Sequence, residues 1–187
     1  HSSMYLGTSS QYAVKVPFSS TGTGMPTPIK WGMDTAWDDE GNVLRGINFI
    51  GKDNLTYGRI SFQVMDPLNA DGTLSERQLK FLNSRIQHIK LSEPDGVMLN
   101  SDPVDINVEE YTHHPERWYK VIKATTKYIE EHGLDVVSIG PFNEPDITAS
   151  NQGSMADFKA VSKLICEDPF FKGIRIVAGN TCNNDGA

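Results

Sequence analysis

Residues 134–146 read LDVVSIGPFNEPD, and the predicted fold rests on this stretch. Positions 136–139 form a short, mainly β-branched apolar run that a Gly-Pro pair closes. A run of this kind, bounded by turn-forming residues, predicts a buried β-strand. Asn143 and Glu144 follow almost at once, so we expect them at the carboxyl end of that strand. Parallel α/β folds place their chemistry at this end of the sheet.

The rest of the chain alternates short apolar runs with amphipathic segments. Alternation of strands and helices predicts right-handed crossovers and a parallel sheet. A doubly wound nucleotide-binding fold would have a glycine-rich turn after its first strand, but Trp37-Asp38 stands there, which favours a barrel. Besides the strand described above, strands are predicted at 29–37, 57–64, 96–99 and 173–178, and helices at 42–50, 76–89, 115–131 and 154–165.

The predicted fold class is therefore α/β: a partial (β/α)8 TIM barrel of about five β/α units with parallel strands. A whole barrel needs about 250 residues, and this chain has 187. Residues 29–187 are expected to be the N-terminal portion of the barrel domain, truncated before the seventh strand. Residues 1–28 are expected to hold a tag remnant, one short strand at 12–16 and an irregular segment.

Composition excludes several classes of function. The net charge is −7 and no cluster of Lys or Arg is longer than a pair, so we expect no nucleic-acid partner. No apolar run approaches the roughly 18 residues that span a bilayer, so no membrane insertion is expected. Cys166 and Cys182 have neither metal-ligand nor redox spacing. Cys166 falls in an amphipathic helix and is predicted to be a small core residue. No cofactor or metal is expected.

Glu144 and Asn143 suit the cleavage of a glycosidic bond. This reaction needs a proton for the leaving oxygen and stabilisation of an oxocarbenium-like centre, which two carboxyl groups provide. Glu144, at a strand end, fits the proton donor. Asn143 would bind a sugar 2-hydroxyl or the facing carboxylate. A surface Asn-Glu-Pro turn without function is the alternative, because short motifs recur by chance.

Three segments extend the pattern: WGMDTAW (31–37), RISFQ (59–63) and PFNEPD (141–146). Together they resemble glycoside hydrolase family 30 and its relatives in the large clan of Asn-Glu-Pro barrels, over roughly residues 29–181. The resemblance implies a retaining hydrolase that acts on β-linked polysaccharide or oligosaccharide, with Glu144 as acid/base and Asn143 as substrate ligand. Arg59 is similar to the arginine that such enzymes place beneath the nucleophile. The nucleophile, a seventh-strand Glu, has no counterpart in this chain.

Five further residues are candidates for sugar binding. Trp37 is either a stacking platform for a pyranose or a rim residue that packs its loop. Asp34 and Asp38 either bind sugar hydroxyls or cap the following helix. Asp102 and Asn180 are candidates for the cleft by their position at strand ends.

A different class of function remains open, a non-catalytic carbohydrate-binding protein on a degenerate barrel. It would use Trp37 and Asn143 for binding and Glu144 only as a hydrogen-bond acceptor. An open α/β oxidoreductase is a further alternative, but this sequence lacks the dinucleotide-binding fingerprint that such an enzyme would have. An extracellular or periplasmic location is expected from the polysaccharide substrate, although these residues contain no signal peptide. Because a partial barrel leaves strand edges unpaired, the chain is also expected to self-associate through them.

Overall fold

The computed structural model describes residues 2–6, 14–18, 31–35, 39–62, 66–101, 110–144 and 153–177. Its α-helices are α1 (Glu40–Ile50), α2 (Glu76–Lys90), α3 (Pro115–Glu131) and α4 (Met155–Glu167), and short 3-10 helices cover Lys52–Asn54 and Pro169–Phe171. Its strands are β1 (Ser2–Leu6), β2 (Val14–Phe18), β3 (Trp31–Asp34), β4 (Leu55–Phe62), β5 (Gly96–Ser101), β6 (Val136–Gly140) and β7 (Arg175–Ile176).

Strands β3 to β7 form one five-stranded sheet in the order of the chain. Every neighbouring pair in it is parallel, and a helix connects consecutive strands from β3 to β7. This is the α/β architecture that the sequence predicts, a partial (β/α)8 barrel. Strands β1 and β2 form a separate antiparallel pair.

The helices begin where their capping residues indicate. Asp39, Ser75 and Ser154 each accept a hydrogen bond from a backbone N–H in the first turn of α1, α2 and α4. Ser154 and Asp157 form a reciprocal capping box, in which each side chain accepts from the other residue's backbone N–H. Helix α3 begins at Pro115, whose missing N–H would be unpaired there in any case.

The two faces of the sheet differ in burial. Ile60, Leu99 and Ile139 face the helices and are fully buried, and a methyl group on Gly58 would lie 2.9 Å from Ile89 of α2. The opposite face is more polar and less evenly buried, since Ser61 and Asn100 are buried whereas Arg59 and Met98 are half-buried. The hydrophobic core of this part of the chain therefore lies between the sheet and its helices. The other face carries the polar strand ends described below.

The structure departs from the sequence prediction at several points. Strand β5 runs two residues further than predicted, so that Asn100 and Ser101 belong to the strand. Strand β1 was not predicted, and β2 lies two residues beyond the predicted strand at 12–16. The prediction that Cys166 is a core residue is wrong. Its side chain is exposed because Val161 and Ile165 occupy the buried face of α4.

Among the described residues, none of the helices has both the length and the apolar character that crossing a bilayer requires.

Asp168 joins the end of α4 to α3. Its carboxylate accepts hydrogen bonds from Lys123 Nζ at 2.5 Å, from the Tyr119 hydroxyl, and from the backbone N–H of Phe170 at 2.9 Å. These donors favour the ionised form, and they lower the pKa of Asp168 to about 2, with the Lys123 ammonium as the largest cause.

We therefore expect Asp168 to contribute to acid stability. Its folded-state pKa lies below the unfolded value of about 3.9, so its contribution is present above about pH 4 and is lost as the pH falls towards about 2. Asp168→Asn should lower the urea midpoint at pH 7 and weaken its dependence on pH between 4 and 2. Glu167→Gln, at the neighbouring exposed position, is the matched control. An unchanged pH dependence in Asp168→Asn would contradict this assignment.

Candidate active site

Polar side chains from four adjacent strands meet at the carboxyl end of the sheet. Asp34 is the last residue of β3 and lies opposite Arg59 of β4 in the parallel register. Asn100 of β5 lies between Ser61 of β4 and Gly140 of β6. Asn143 follows the end of β6 by three positions. The parallel register brings these residues together because all four strands end at the same edge.

The Arg59 guanidinium joins the first strand of this sheet to the fourth. Its Nη1 donates to the Asp34 carboxylate, and its Nη2 lies 3.4 Å from Asn143 Oδ1. Arginine carries only donors, in a fixed fork, so one side chain can hold a carboxylate and an amide oxygen at once. About a quarter of the Arg59 side chain is exposed, so the bridge lies at the surface of the sheet rather than in the core.

Thr35 holds the end of β3 in place. Its N–H and its hydroxyl both donate to the Arg59 carbonyl oxygen, at 3.4 Å and 3.0 Å. Its own carbonyl accepts from Arg85 Nη1 of α2 at 2.9 Å. Because Thr35 is fully buried, these bonds fix the backbone next to Asp34.

Asn100 is a site residue that the sequence analysis did not select. Its Nδ2 donates to Asn143 Oδ1 at 3.2 Å, and its side chain is fully buried. The signal was present, because Asn100 is a polar residue at the end of a predicted strand. Asp102 was selected instead, since β5 was expected to end at position 99.

The segment between β6 and Glu144 is held in place by contacts with the helices. Trp118 of α3 is fully buried and donates from Nε1 to the Pro141 carbonyl oxygen at 2.8 Å. Phe142 is 2% exposed and packs against the rings of Trp118 and Phe158, each with a centroid separation of 6.2 Å. Phe142 is therefore a core residue, which settles the choice between core and cleft that its sequence position leaves open.

Glu144 has an unusual backbone conformation. Its φ is +45°, in the left-handed region that residues with a side chain rarely adopt, and its side chain is half-buried. Pro145 follows it, and a residue before proline is normally extended. Backbone strain of this kind is found preferentially at functional sites.

His113 contacts the first turn of α4. Its Nδ1 is 2.9 Å from Asp157 Oδ2, which also accepts from the Ser154 hydroxyl and backbone N–H. The hydrogen bonds from Ser154 and His113 lower the pKa of Asp157, although burial opposes them as the largest single effect. The pair connects the segment before α3 to the first turn of α4. His114 is the residue directly before helix α3.

Four predicted site residues lie outside the described residues: Trp37, Asp38, Asp102 and Asn180. Of the others, Asp34, Arg59 and Asn143 are in contact, and Glu144 is covalently next to Asn143. Asp34 pairs with Arg59, whereas the residue that caps α1 is Asp39. Within the described ranges, no three His, Cys, Asp or Glu side chains come close enough together to hold a metal ion.

Comparisons with solved structures find barrels of glycoside hydrolases. The chain is similar to the family 30 subfamily 8 xylanase Xyn30A from Clostridium acetobutylicum, with a TM-score of 0.56 and 13% identity over 80% of this chain and 41% of that one. It is also similar to a GH30 endoxylanase from Clostridium papyrosolvens C71 (TM-score 0.45, 15% identity, 76% of this chain and 47% of that one). A GH5-4 broad specificity endoglucanase from an uncultured bacterium has a TM-score of 0.42 and 10% identity, over 72% of this chain and 47% of that one.

The chain has the fold of part of a family 30 barrel. At 13% identity the similarity to Xyn30A concerns the fold alone, and the other two TM-scores are too low to add to it. The expected resemblance to family 30 is thus confirmed at the level of the fold. The chain spans about two fifths of the length of the xylanase. No protein-family model matches the chain, and no curated protein matches it.

The conformation of Glu144 leads to a prediction about stability. A left-handed residue with a side chain costs about 1–2 kcal/mol, while glycine loses roughly 0.5–1 kcal/mol more backbone entropy on folding than alanine does. Glu144→Gly should therefore raise the free energy of unfolding by up to about 1 kcal/mol, which urea denaturation measures. Glu93→Gly is the control, because Glu93 is exposed with φ +48°; it also loses the exposed ion pair with Lys52, so its gain is a lower limit. A gain in the control alone would mean that contacts of the Glu144 side chain offset its strain.

Proposed function

We propose that this chain is part of a retaining glycoside hydrolase that acts on β-linked polysaccharide or oligosaccharide. The observation that carries the proposal is the position of Asn143-Glu144 after β6, in a network with Arg59, on a fold like that of a family 30 xylanase. Active sites of barrel enzymes lie at the carboxyl ends of the barrel strands. The substrate is a carbohydrate, and the location is extracellular or periplasmic, where such polymers occur.

Glu144 is the general acid/base in this proposal. It protonates the leaving glycosidic oxygen and then takes a proton from the water that hydrolyses the glycosyl-enzyme intermediate. In a retaining enzyme the nucleophilic carboxylate lies about 5–5.5 Å from the acid/base. We expect that nucleophile to come from a glutamate on a seventh strand, outside these 187 residues.

Asn143 and Arg59 support the sugar and the nucleophile. Asn143 Oδ1 faces the donors of Arg59 and Asn100, so the Nδ2 group is on the other side of the amide and suits a sugar 2-hydroxyl. We expect the Arg59 guanidinium to stabilise the negative charge of the nucleophilic carboxylate, because its fork of N–H donors suits a carboxylate. Trp37, Asp34, Asp38, Asp102 and Asn180 are proposed as further sugar contacts at the same strand ends.

Substitution of Glu144 tests the assignment. In the full-length gene product, Glu144→Gln should reduce hydrolysis of xylotetraose and cellotetraose by about 10²–10⁴-fold, because the amide cannot exchange the proton. Release of reducing sugar measures the rate. The control is Glu116→Gln, an exposed position in the first turn of α3. Wild-type rates in Glu144→Gln would exclude Glu144 as acid/base. Sugar binding without hydrolysis in the unaltered protein would favour the carbohydrate-binding alternative.

The 187-residue chain by itself should self-associate. Within the described sheet, β3 and β7 are each paired on one side, and Trp31 of β3 is 54% exposed. A cleft of about 560 Å³ beside β7 has a mixed lining of apolar residues such as Ile176 and charged residues such as Lys172. Open strand edges favour association with other chains. Sedimentation velocity should show dimers or larger species that increase with concentration, and a monomer at high concentration would contradict this.

A further inference from the structure

Among the described residues, Asn143 Oδ1 accepts from two donors of unequal strength. The Arg59 Nη2 donor lies 3.4 Å from Asn143 Oδ1, beyond the usual range for N–H···O bonds, and the same guanidinium also donates to Asp34. The Asn100 Nδ2 donor lies at 3.2 Å. Asn100 is fully buried, while the Arg59 side chain is partly exposed. The shorter and better-shielded of the two bonds therefore comes from Asn100.

The same contacts determine which way the Asn143 amide faces. A guanidinium has no acceptor, so the Asn143 atom nearest Arg59 must be the oxygen. If the amide were reversed, its NH2 group would face the N–H groups of both Arg59 and Asn100. The observed orientation therefore directs Nδ2 away from Arg59 and Asn100.

Asn100 is itself held rigidly. It lies in the middle of the sheet, between β4 and β6, and its backbone carbonyl is 3.4 Å from the Ser61 hydroxyl. A methyl group on Gly140 would lie 3.0 Å from Asn100 Oδ1, so the glycine provides the room that this side chain occupies. A buried side chain between two paired strands loses little further entropy when it orients a neighbour.

We propose that Asn100 is a positioning residue, which fixes the Asn143 amide so that its Nδ2 donates to the sugar beside Glu144. This inference rests on the proposed glycosidase function and adds to it a residue of the third barrel strand. Asn100 acts through Asn143 and does not itself contact the reacting atoms. Its effect is to set the direction of one hydrogen bond to substrate.

Two substitutions of similar size distinguish orientation from packing. Asn100→Asp replaces the donor by an acceptor, so the Asn143 amide should turn its NH2 group towards the new carboxylate. Asn100→Leu removes the donor and leaves Arg59 to hold the amide. In the full-length gene product, Asn100→Asp should lower kcat/KM for xylotetraose by at least about tenfold, and more than Asn100→Leu does. A purely structural role predicts instead that the losses of the two variants follow their thermal unfolding midpoints, because a buried carboxylate and a buried leucine both disturb the packing at this position.

A double-mutant cycle tests whether the effect passes through Asn143. In an Asn143→Ala background, Asn100→Asp should change kcat/KM by less than about twofold, since the group that it misdirects is gone. Multiplication of the two single effects would overturn the proposal, as would a larger loss in Asn100→Leu. Asn83→Asp is the control for added charge, because Asn83 is exposed on α2 and its Oδ1 accepts from Tyr128. Thermal unfolding midpoints of all variants identify losses that come from misfolding.

Side-chain amide resonances separate this proposal from the proposed function. The 15N–1H signals of the Asn143 NH2 group, recorded without sugar, should shift in Asn100→Asp and stay in place in Asn83→Asp. If the unaltered protein hydrolyses no glycan, the glycosidase function fails, and these resonances still decide the role of Asn100. Unchanged Asn143 resonances in Asn100→Asp would overturn the proposed role of Asn100.

Discussion

The contact between Arg59 and its two partners is the interaction on which the site depends. One guanidinium connects Asp34, at the end of β3, with Asn143, beyond the end of β6, and so spans the polar ends of four adjacent strands. A lysine could not do this, because its ammonium is a point charge without a fixed fork of donors. Asn100 completes the network from the strand between them.

The polar network can exist because the sheet separates two environments. Its helix-facing side buries Ile60, Leu99 and Ile139 completely, and this apolar layer supplies the stability of the fold. Residues on the other face pair with one another across the strands. This pairing gives the partly buried Arg59 guanidinium two acceptors, Asp34 and Asn143, which offset part of the cost of burying it.

The backbone around Glu144 shows how a rigid support permits local strain. Phe142 is packed between Trp118 and Phe158, and the Pro141 carbonyl is bonded to the Trp118 indole. Two residues later the chain adopts a left-handed conformation. The buried aromatic cluster holds the chain before the turn, and the strained residue then carries the carboxyl to which we assign proton transfer. The buried support and the strained residue are thus only two positions apart in the chain.

The order of strands and helices, most helix starts and the position of Asn143-Glu144 could be predicted from the sequence. These features depend on local signals: β-branched runs, helical periodicity, capping residues such as Ser75 and Ser154, and turn-forming pairs. The exposure of Cys166 was mispredicted, because the prediction relied on the usual burial of free cysteines, whereas Val161 and Ile165 occupy the buried face of α4.

The contacts of the site were decided by tertiary structure alone. The pairing of Asn100 with Asn143 depends on the register of β5 against β6, and that register includes an irregularity near Val97 that no local pattern reveals. The left-handed conformation of Glu144 likewise runs against its own preference and that of a residue before proline. The sequence by itself therefore determined which side chains reach the edge of the sheet, because periodicity is local. Only the packing of strands and helices decided how those side chains orient one another, because those contacts join residues up to 84 positions apart.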